Sequence, residues 1–247
     1  MNSLLPTFKI IELCLTYRCN VQCQNCSNLC TQAPATEDYL TPEDIYFFLD
    51  DLAEHNHPLG QITLHGGEPV LTPDFETIIK LLCEYRKLNN CTLWLLSNNS
   101  NELIREKTRY ISDKYCIPLG ISEKRGTNRD AKGHELMYVP VNESPDDLGL
   151  PYTLGCFQSA QCGMCYNKQG YFPCSPMAAA ARVFDYSSMG HSIVDVTEEA
   201  CREKFAQHCK HCGFAMERRR AFNQVTTKTW DKALKEYAKK KGHYEIL

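Results

Sequence analysis

Lys9-Ile10-Ile11-Glu12-Leu13-Cys14-Leu15-Thr16 runs through Tyr17-Arg18 into Cys19-Asn20-Val21-Gln22-Cys23-Gln24-Asn25-Cys26. The first eight residues, apolar and rich in Ile and Leu, predict a strand. The strand leads into C-x3-C-x2-C on one short loop. Three thiolates leave the four-cysteine shell of a [4Fe–4S] cluster one ligand short, so one iron would stay open to an exogenous ligand. A structural zinc site is the opposite case, closed by four protein ligands.

Downstream, strand and helix signals alternate. Thr41-Pro42-Glu43-Asp44 predicts a helix start, with a capping Thr, Pro in the first turn and two acids at the positive end. Ile45, Phe48, Leu49 and Leu52 then recur at helical spacing. Gln61 to His65 predicts a short strand that ends at Gly66-Gly67. Thr72-Pro73-Asp74 predicts a second helix start, with Phe75, Ile78, Ile79 and Leu82 on one face. Cys91 to Ser97 predicts a third strand and Glu102 to Ser112 a third helix. Cys116 to Ser122 and Leu136 to Val141 predict strands four and five. Such alternation indicates the α/β class, a parallel sheet covered by helices. Five strands are too few for a closed eight-stranded barrel. The expected architecture over residues 1–150 is a partial, open parallel βα barrel, bounded at Pro140 to Pro151.

Beyond that boundary the pattern changes. Tyr152 to Gly213 carries seven of the fifteen cysteines and little periodicity, as expected of a segment folded around metal rather than around a core. It defines a second, Cys-rich region, residues 151–215. Residues 216–247 form a basic tail, with a helix predicted from Thr227 to Lys241, Trp230, Ala233, Leu234, Tyr237 and Ala238 on one face, and Gly242 as its stop. The tail holds nine Lys/Arg and four Asp/Glu, a net +5 that leaves −8 for the rest of a chain whose total is −3. A solvated face on a packed helix and a docking surface for an acidic partner both fit that asymmetry. Ala178 to Ala181 reads as helix.

Composition excludes several classes. With 247 residues, 43% hydrophobic and 23% charged, the chain can build an ordinary core and is neither disordered nor collagen-like. Fifteen cysteines, about 6% of the chain, fall below the density of small disulfide scaffolds. Met1 to Cys14 lacks a basic n-region and is interrupted by Pro6, Lys9 and Glu12, so no signal peptide is expected. No run of about 18 apolar residues predicts a membrane span. The expectation is a cytoplasmic protein whose thiolates bind metal, with no nucleic-acid or membrane partner.

The cysteine loop after the first strand, together with Gly66-Gly67-Glu68-Pro69, resembles the radical S-adenosylmethionine (SAM) superfamily. The resemblance spans roughly Lys9 to Val141. It implies that Cys19, Cys23 and Cys26 hold a [4Fe–4S] cluster whose open iron is chelated by SAM. It further implies that Gly66, Gly67 and Glu68 bind the SAM amine, with glycines allowing close backbone approach to the ligand. Ser97-Asn98-Asn99 resembles the family's Thr-Asn-Gly, making Asn98 a SAM-side residue, and Ser122 resembles a Ser facing the ribose and carboxylate. Asn25 stands where the family commonly has an aromatic near the adenine.

Cys156-x5-Cys162-x2-Cys165-x8-Cys174, then Cys201 and Cys209-x2-Cys212, resembles the auxiliary-cluster extensions called SPASM and, in shorter form, twitch. The resemblance to the shorter form implies one auxiliary [4Fe–4S] cluster on Cys156, Cys174, Cys209 and Cys212, with Gly170 in the family's glycine place. A competing set, Cys162, Cys165, Cys209 and Cys212, is two C-x2-C pairs that would equally hold zinc. His208 and His211 are expected at the surface or behind the ligands. Cys14 and Cys30 are expected as packing or spare thiols; Cys83, Cys91 and Cys116 as buried small hydrophobes; His65 as structural or substrate-facing.

The implied activity is reductive cleavage of SAM to a 5′-deoxyadenosyl radical that abstracts a substrate hydrogen. An auxiliary cluster would favour net oxidation or modification of a small molecule or short peptide, with flavodoxin or ferredoxin as electron donor. Glu123 to His134 is expected to face that substrate. Two other classes remain open: a non-catalytic zinc-stabilised binding module, and a plain iron–sulfur electron carrier, for which Gly66 to Pro69 has no purpose.

Overall fold

A computed structural model describes residues 4–23, 26–122, 152–215 and 226–241. Strands β1 (Ile10–Cys14), β2 (Gln61–His65), β3 (Thr92–Ser97) and β4 (Leu119–Ile121) are joined by helices α1 (Pro42–Glu54), α2 (Phe75–Asn89) and α3 (Glu102–Tyr115). The sheet order is β4-β3-β2-β1-β5-β6. β1, β2, β3 and β4 pair in parallel, as the alternation predicts. The sheet is open, and the architecture is a partial βα barrel.

Period-two alternation places the two cores. Ile11 and Leu13 of β1, Ile62 and Leu64 of β2, and Leu93 and Leu95 of β3 meet the apolar faces of α1–α3. On the opposite face, Cys14 joins a second core, built with helices α5 (Ser175–Phe184) and α7 (Lys228–Lys241). α1 begins in a full capping box: Thr41 accepts from the Asp44 N–H and the Asp44 side chain accepts from the Thr41 N–H.

Two local expectations are corrected. α2 does not start at Thr72: Pro69–Leu71 form a 3-10 turn that Thr72 closes, and the helix begins at Phe75 behind Asp74 in a left-handed conformation. Cys116 is exposed rather than buried, because it caps α3 at φ 49° and ψ 52°, before β4 begins. Cys83 and Cys91 are buried as expected.

A larger departure lies in the Cys-rich region. β5 (Met164–Asn167) pairs in parallel with β1, and β6 (Gly170–Phe172) pairs antiparallel with β5. This segment extends the main sheet, and its residues 164–167 are all buried. α4 (Phe157–Cys162) precedes it, and α6 (Glu198–His208) follows α5. The predicted fifth strand at Leu136 to Val141, the boundary at Pro140 to Pro151, the loop Glu123 to His134, Asn25 and Gly242 lie outside the described residues. Among the described residues, no helix is long and apolar enough to cross a membrane.

Candidate functional site

The carboxyl ends of β1, β2, β3 and β4 lie on one edge of the sheet, where ligands of open α/β sheets collect. The thiol loop leaves β1 there. Beyond the strands, β1 and β2 stay zipped: Leu15 donates to the His65 carbonyl, Gly67 to that of Thr16 and Glu68 to that of Arg18, at 2.7–2.9 Å. This contact explains both glycines. Gly66 has φ +148°, and a Cβ there would strike the Thr16 carbonyl; one on Gly67 would strike the Arg18 carbonyl. The close approach they permit is therefore to the thiol loop's own backbone.

Glu68 is fully buried. Its carboxylate accepts the Ser97 hydroxyl at 2.9 Å and the Asn98 N–H at 2.8 Å. Burial raises its pKa above the usual carboxylate range, against the lowering effect of the N–H groups of Asn98 and Val70 and the Ser97 hydroxyl. The Asn98 amide donates to Asn20 Oδ1 at 2.9 Å and reaches Cys19 Sγ at 3.7 Å. Ser122 is exposed at the end of β4 and donates its N–H to Ser97. So Glu68 and Asn98 bind the ends of β2 and β3 to the thiol loop.

Cys19, Cys23 and Cys26 are each half-buried. Burial pushes the Cys19 thiol up to about 11, and Cys26, Cys23 and Glu68 add to the rise against the Val21 N–H, so the three sulfurs share one neighbourhood. Cys14 and Cys30 are buried, and the Cys30 thiol is hydrogen-bonded with the Cys26 sulfur. Arg182 of α5 holds the returning arm of the loop, donating to the carbonyls of Ala33 at 2.9 Å and Asn28 at 3.2 Å. Its guanidinium lies 3.5 Å from the Tyr17 ring centroid. Sequence reasoning missed Arg182; the available signal was an Arg ending an apolar, alanine-rich run.

The second thiol group is separate. Cys156, Cys174, Cys209 and Cys212 line one cavity. Cys156 and Cys174 are the N-caps of α4 and α5, and Cys209–His211 form a 3-10 turn closed by Cys212. Burial drives the Cys174 thiol well up, with further increments from Cys156, Cys209 and Cys212, which places the four within electrostatic reach of one another. Met177, Phe205 and Trp230 supply an apolar wall. Trp230 of α7 donates its indole N–H to the His211 carbonyl. The rest of the α7 face, Ala233, Leu234 and Tyr237, is buried as expected.

Cys162 and Cys165 do not line this cavity. Cys165 is fully buried in β5, near Cys14. Cys162 accepts from Gln158 and lies against Glu12. Cys201 is buried in α6 against Met189. His208 is buried, 4% exposed, and not at the surface. Desolvation, aided by Lys204 and His211, lowers its pKa to about 3. Among the described residues, no three Cys, His, Asp or Glu side chains converge tightly enough for a single metal ion.

Between the two thiol groups lies a polar chain that sequence reasoning did not assemble. Ser175 hydrogen-bonds the Glu12 carboxylate and lies 3.1 Å from His65 Nε2. His65 Nδ1 faces the Asn28 amide, which donates to the Gly66 carbonyl at 2.7 Å. His65 is buried and its pKa is lowered by desolvation, against the pull of Glu12 at 3.9 Å.

The site is thus an open βα barrel with three thiols at its strand ends and a four-thiol group in the segment that extends the sheet. Residues 13–117 match the family described as "4Fe-4S single cluster domain". No curated protein sequence matches the chain. Among solved structures, its fold is similar to that of BtrN in an open conformation, at TM-score 0.50 and 17% identity over 91% of this chain and 97% of that one. It is likewise similar to BtrN in complex with AdoMet and 2-DOIA, at TM-score 0.51 and 15% identity over 92% and 100%.

Proposed function

We propose that this chain is a radical SAM enzyme that modifies a small molecule by hydrogen abstraction, with net oxidation as the outcome. The observation that carries this reading is the gathering of Cys19, Cys23 and Cys26 at the strand edge, fastened by Gly66, Gly67, Glu68 and Asn98. A [4Fe–4S] cluster on those three thiols, with SAM on its open iron, supplies one-electron reductive cleavage of the sulfonium and thereby the hydrogen-abstracting power.

The residues' own work is to place and shield. The buried Glu68 carboxylate ties the Gly66-Gly67-Glu68 segment, which would meet the SAM amine, to the end of β3. Asn98 steadies Cys19 through its amide. Ser122 follows β4 on the same edge and would face the SAM ribose and carboxylate. Cys156, Cys174, Cys209 and Cys212 are the ligands proposed for an auxiliary [4Fe–4S] cluster, and Trp230 and Phe205 exclude water around it. The donor chemistry supports this choice. Four sulfurs around one zinc must close to about 2.3 Å from a single point, and among the described residues no three such side chains converge that tightly. Placement speaks against the alternative zinc set, since Cys162 and Cys165 do not line the cavity that Cys209 and Cys212 share.

The linked Glu12, Ser175 and His65 would offer hydrogen-bonding groups to a polar substrate. The fold shared with BtrN, crystallised with AdoMet and 2-DOIA, supports a small molecule over a short peptide. In the proposed division, residues 1–150 bind SAM, 151–215 hold the auxiliary cluster and 216–247 are a basic tail whose helix α7 packs against α5. A flavodoxin- or ferredoxin-type donor supplies the electron, in the cytoplasm. The test is anaerobic counting of iron and sulfide in wild type and in the Cys19/Cys23/Cys26→Ala triple variant, with 5′-deoxyadenosine assayed under strong reductant. About eight irons falling to about four, and loss of 5′-deoxyadenosine, are expected. An unchanged iron count, or no SAM cleavage by fully loaded wild type, overturns the reading.

A further inference from the structure

His208 is the last residue of α6 and precedes Cys209 directly. Its ring lines the same chamber as Cys156, Cys174, Cys209 and Cys212. Neither ring nitrogen has a hydrogen-bond partner among the described residues, although the side chain is almost wholly buried. The ring is held by packing: Tyr186 meets it edge to face, with centroids 4.3 Å apart. Buried polar groups are nearly always hydrogen-bonded, so an imidazole with both nitrogens unsatisfied marks a partner that arrives with a ligand. A neutral imidazole offers one N–H donor and one acceptor.

We propose that His208 donates its ring N–H to a sulfur of the cluster held by Cys156, Cys174, Cys209 and Cys212, and so raises the reduction potential of that cluster. The inference rests on the auxiliary-cluster reading. Four thiols already supply the four corners of a cubane, which leaves the imidazole a sulfur to address rather than an iron. A hydrogen bond to a cluster sulfur stabilises the more negative, reduced form and makes the site a better electron acceptor. An acceptor of that kind is what net oxidation of a substrate radical requires.

The experiment uses the full-length protein loaded anaerobically with both clusters, and titrates the auxiliary cluster by electron paramagnetic resonance. Its signal is the one that survives in the Cys19/Cys23/Cys26→Ala variant. His208→Phe keeps the ring's packing and removes the donor. It is expected to retain all the iron and shift the reduction equilibrium about tenfold toward the oxidised form, about 59 mV for one electron. His208→Gln, which restores an N–H, is expected to recover much of that shift. In wild type, pulsed resonance is expected to show a weakly coupled ring nitrogen.

An unchanged potential in His208→Phe overturns the proposal and leaves His208 as packing. A strongly coupled nitrogen, or loss of about four irons in His208→Phe, overturns it in favour of ligation. The wild-type nitrogen coupling decides the matter if His208→Phe fails to fold. Failure of the underlying reading is seen separately, before any histidine variant, as wild type that loads only one cluster.

Discussion

Asn98 gives its backbone N–H to the buried carboxylate of Glu68 at 2.8 Å, and the same residue's side chain reaches the sulfur of Cys19. The end of β3 is thereby fastened to both the Gly-Gly-Glu segment and the thiol loop. Glu68→Ala would strand the donors of Ser97 and Asn98 inside the protein. Each orphaned donor costs about 1–3 kcal/mol, so the urea midpoint of the metal-free protein is expected to fall by the equivalent of at least one such loss. A midpoint equal to wild type would show that the carboxylate holds nothing in place.

Gly67→Ala is expected to disrupt the loop, since the added methyl group would press on the Arg18 backbone and the Cys19 Cβ. Overpacking of this kind costs about 1–3 kcal/mol, and here the displaced atoms belong to the loop bearing Cys19. Iron content and SAM affinity by equilibrium dialysis should both drop. Gly60→Ala is the matched control: its methyl would meet the Lys9 carbonyl at an ordinary 3.6 Å, and both quantities should hold.

His65 sets a pH dependence in the metal-free protein. Burial lowers its pKa in the fold, with the Glu12 carboxylate as the facing charge and Ser175 and Asn28 as neutral neighbours. The unfolded chain takes up a proton near pH 6.5 while the fold resists until lower pH. This contribution is therefore complete above 6.5 and is lost as the pH falls toward the folded value. The slope approaches about 1.4 kcal/mol per pH unit at most. Comparing unfolding free energies at pH 7.5 and 5.5, wild type should weaken more than His65→Gln; parallel losses would contradict the assignment.

The cysteines should separate by iron count. Cys174→Ser is expected to lose about half of the iron, whereas Cys162→Ser and Cys165→Ala should keep it all, because neither lines the cavity. Cys30→Ser should also keep the first cluster, since its thiol is placed as a hydrogen-bond partner of Cys26. Loss of the first cluster in that variant would make Cys30 a fourth ligand and close the iron that SAM needs.

Arg182→Leu removes two charge-assisted hydrogen bonds, to Asn28 and Ala33, and the contact with Tyr17. Bonds of that type are worth about 1.5–3 kcal/mol each. The first cluster should then surrender iron to a chelator faster than in wild type. Arg182→Lys should be intermediate, because an ammonium cannot span both carbonyls with a planar fork.

Much of this architecture was legible in local pattern. Gln61–His65 is found as a strand over the very residues expected ahead of Gly66-Gly67, and Thr41 caps α1 as expected. The four thiols at the cavity were legible as well, through resemblance rather than periodicity. What stayed hidden depends on distant partners. Ser175 finds Glu12 across 163 residues, and Arg182 finds Ala33 across 149. Cys165 shows another limit: its C-x2-C spacing from Cys162 suggests a ligand, and nothing in that spacing shows that the residue lies buried in a four-residue strand. Thr72-Pro73 mimicked a helix start because Pro69–Leu71 had already taken up the turn.

β1 has β2 on one flank and β5 on the other. A product truncated near residue 150 would therefore lose more than a metal-binding appendage. It would bare the long side of its own central strand, a row of unsatisfied amides of the kind on which chains adhere to one another. Insolubility of that fragment follows from where a four-residue strand happens to lie.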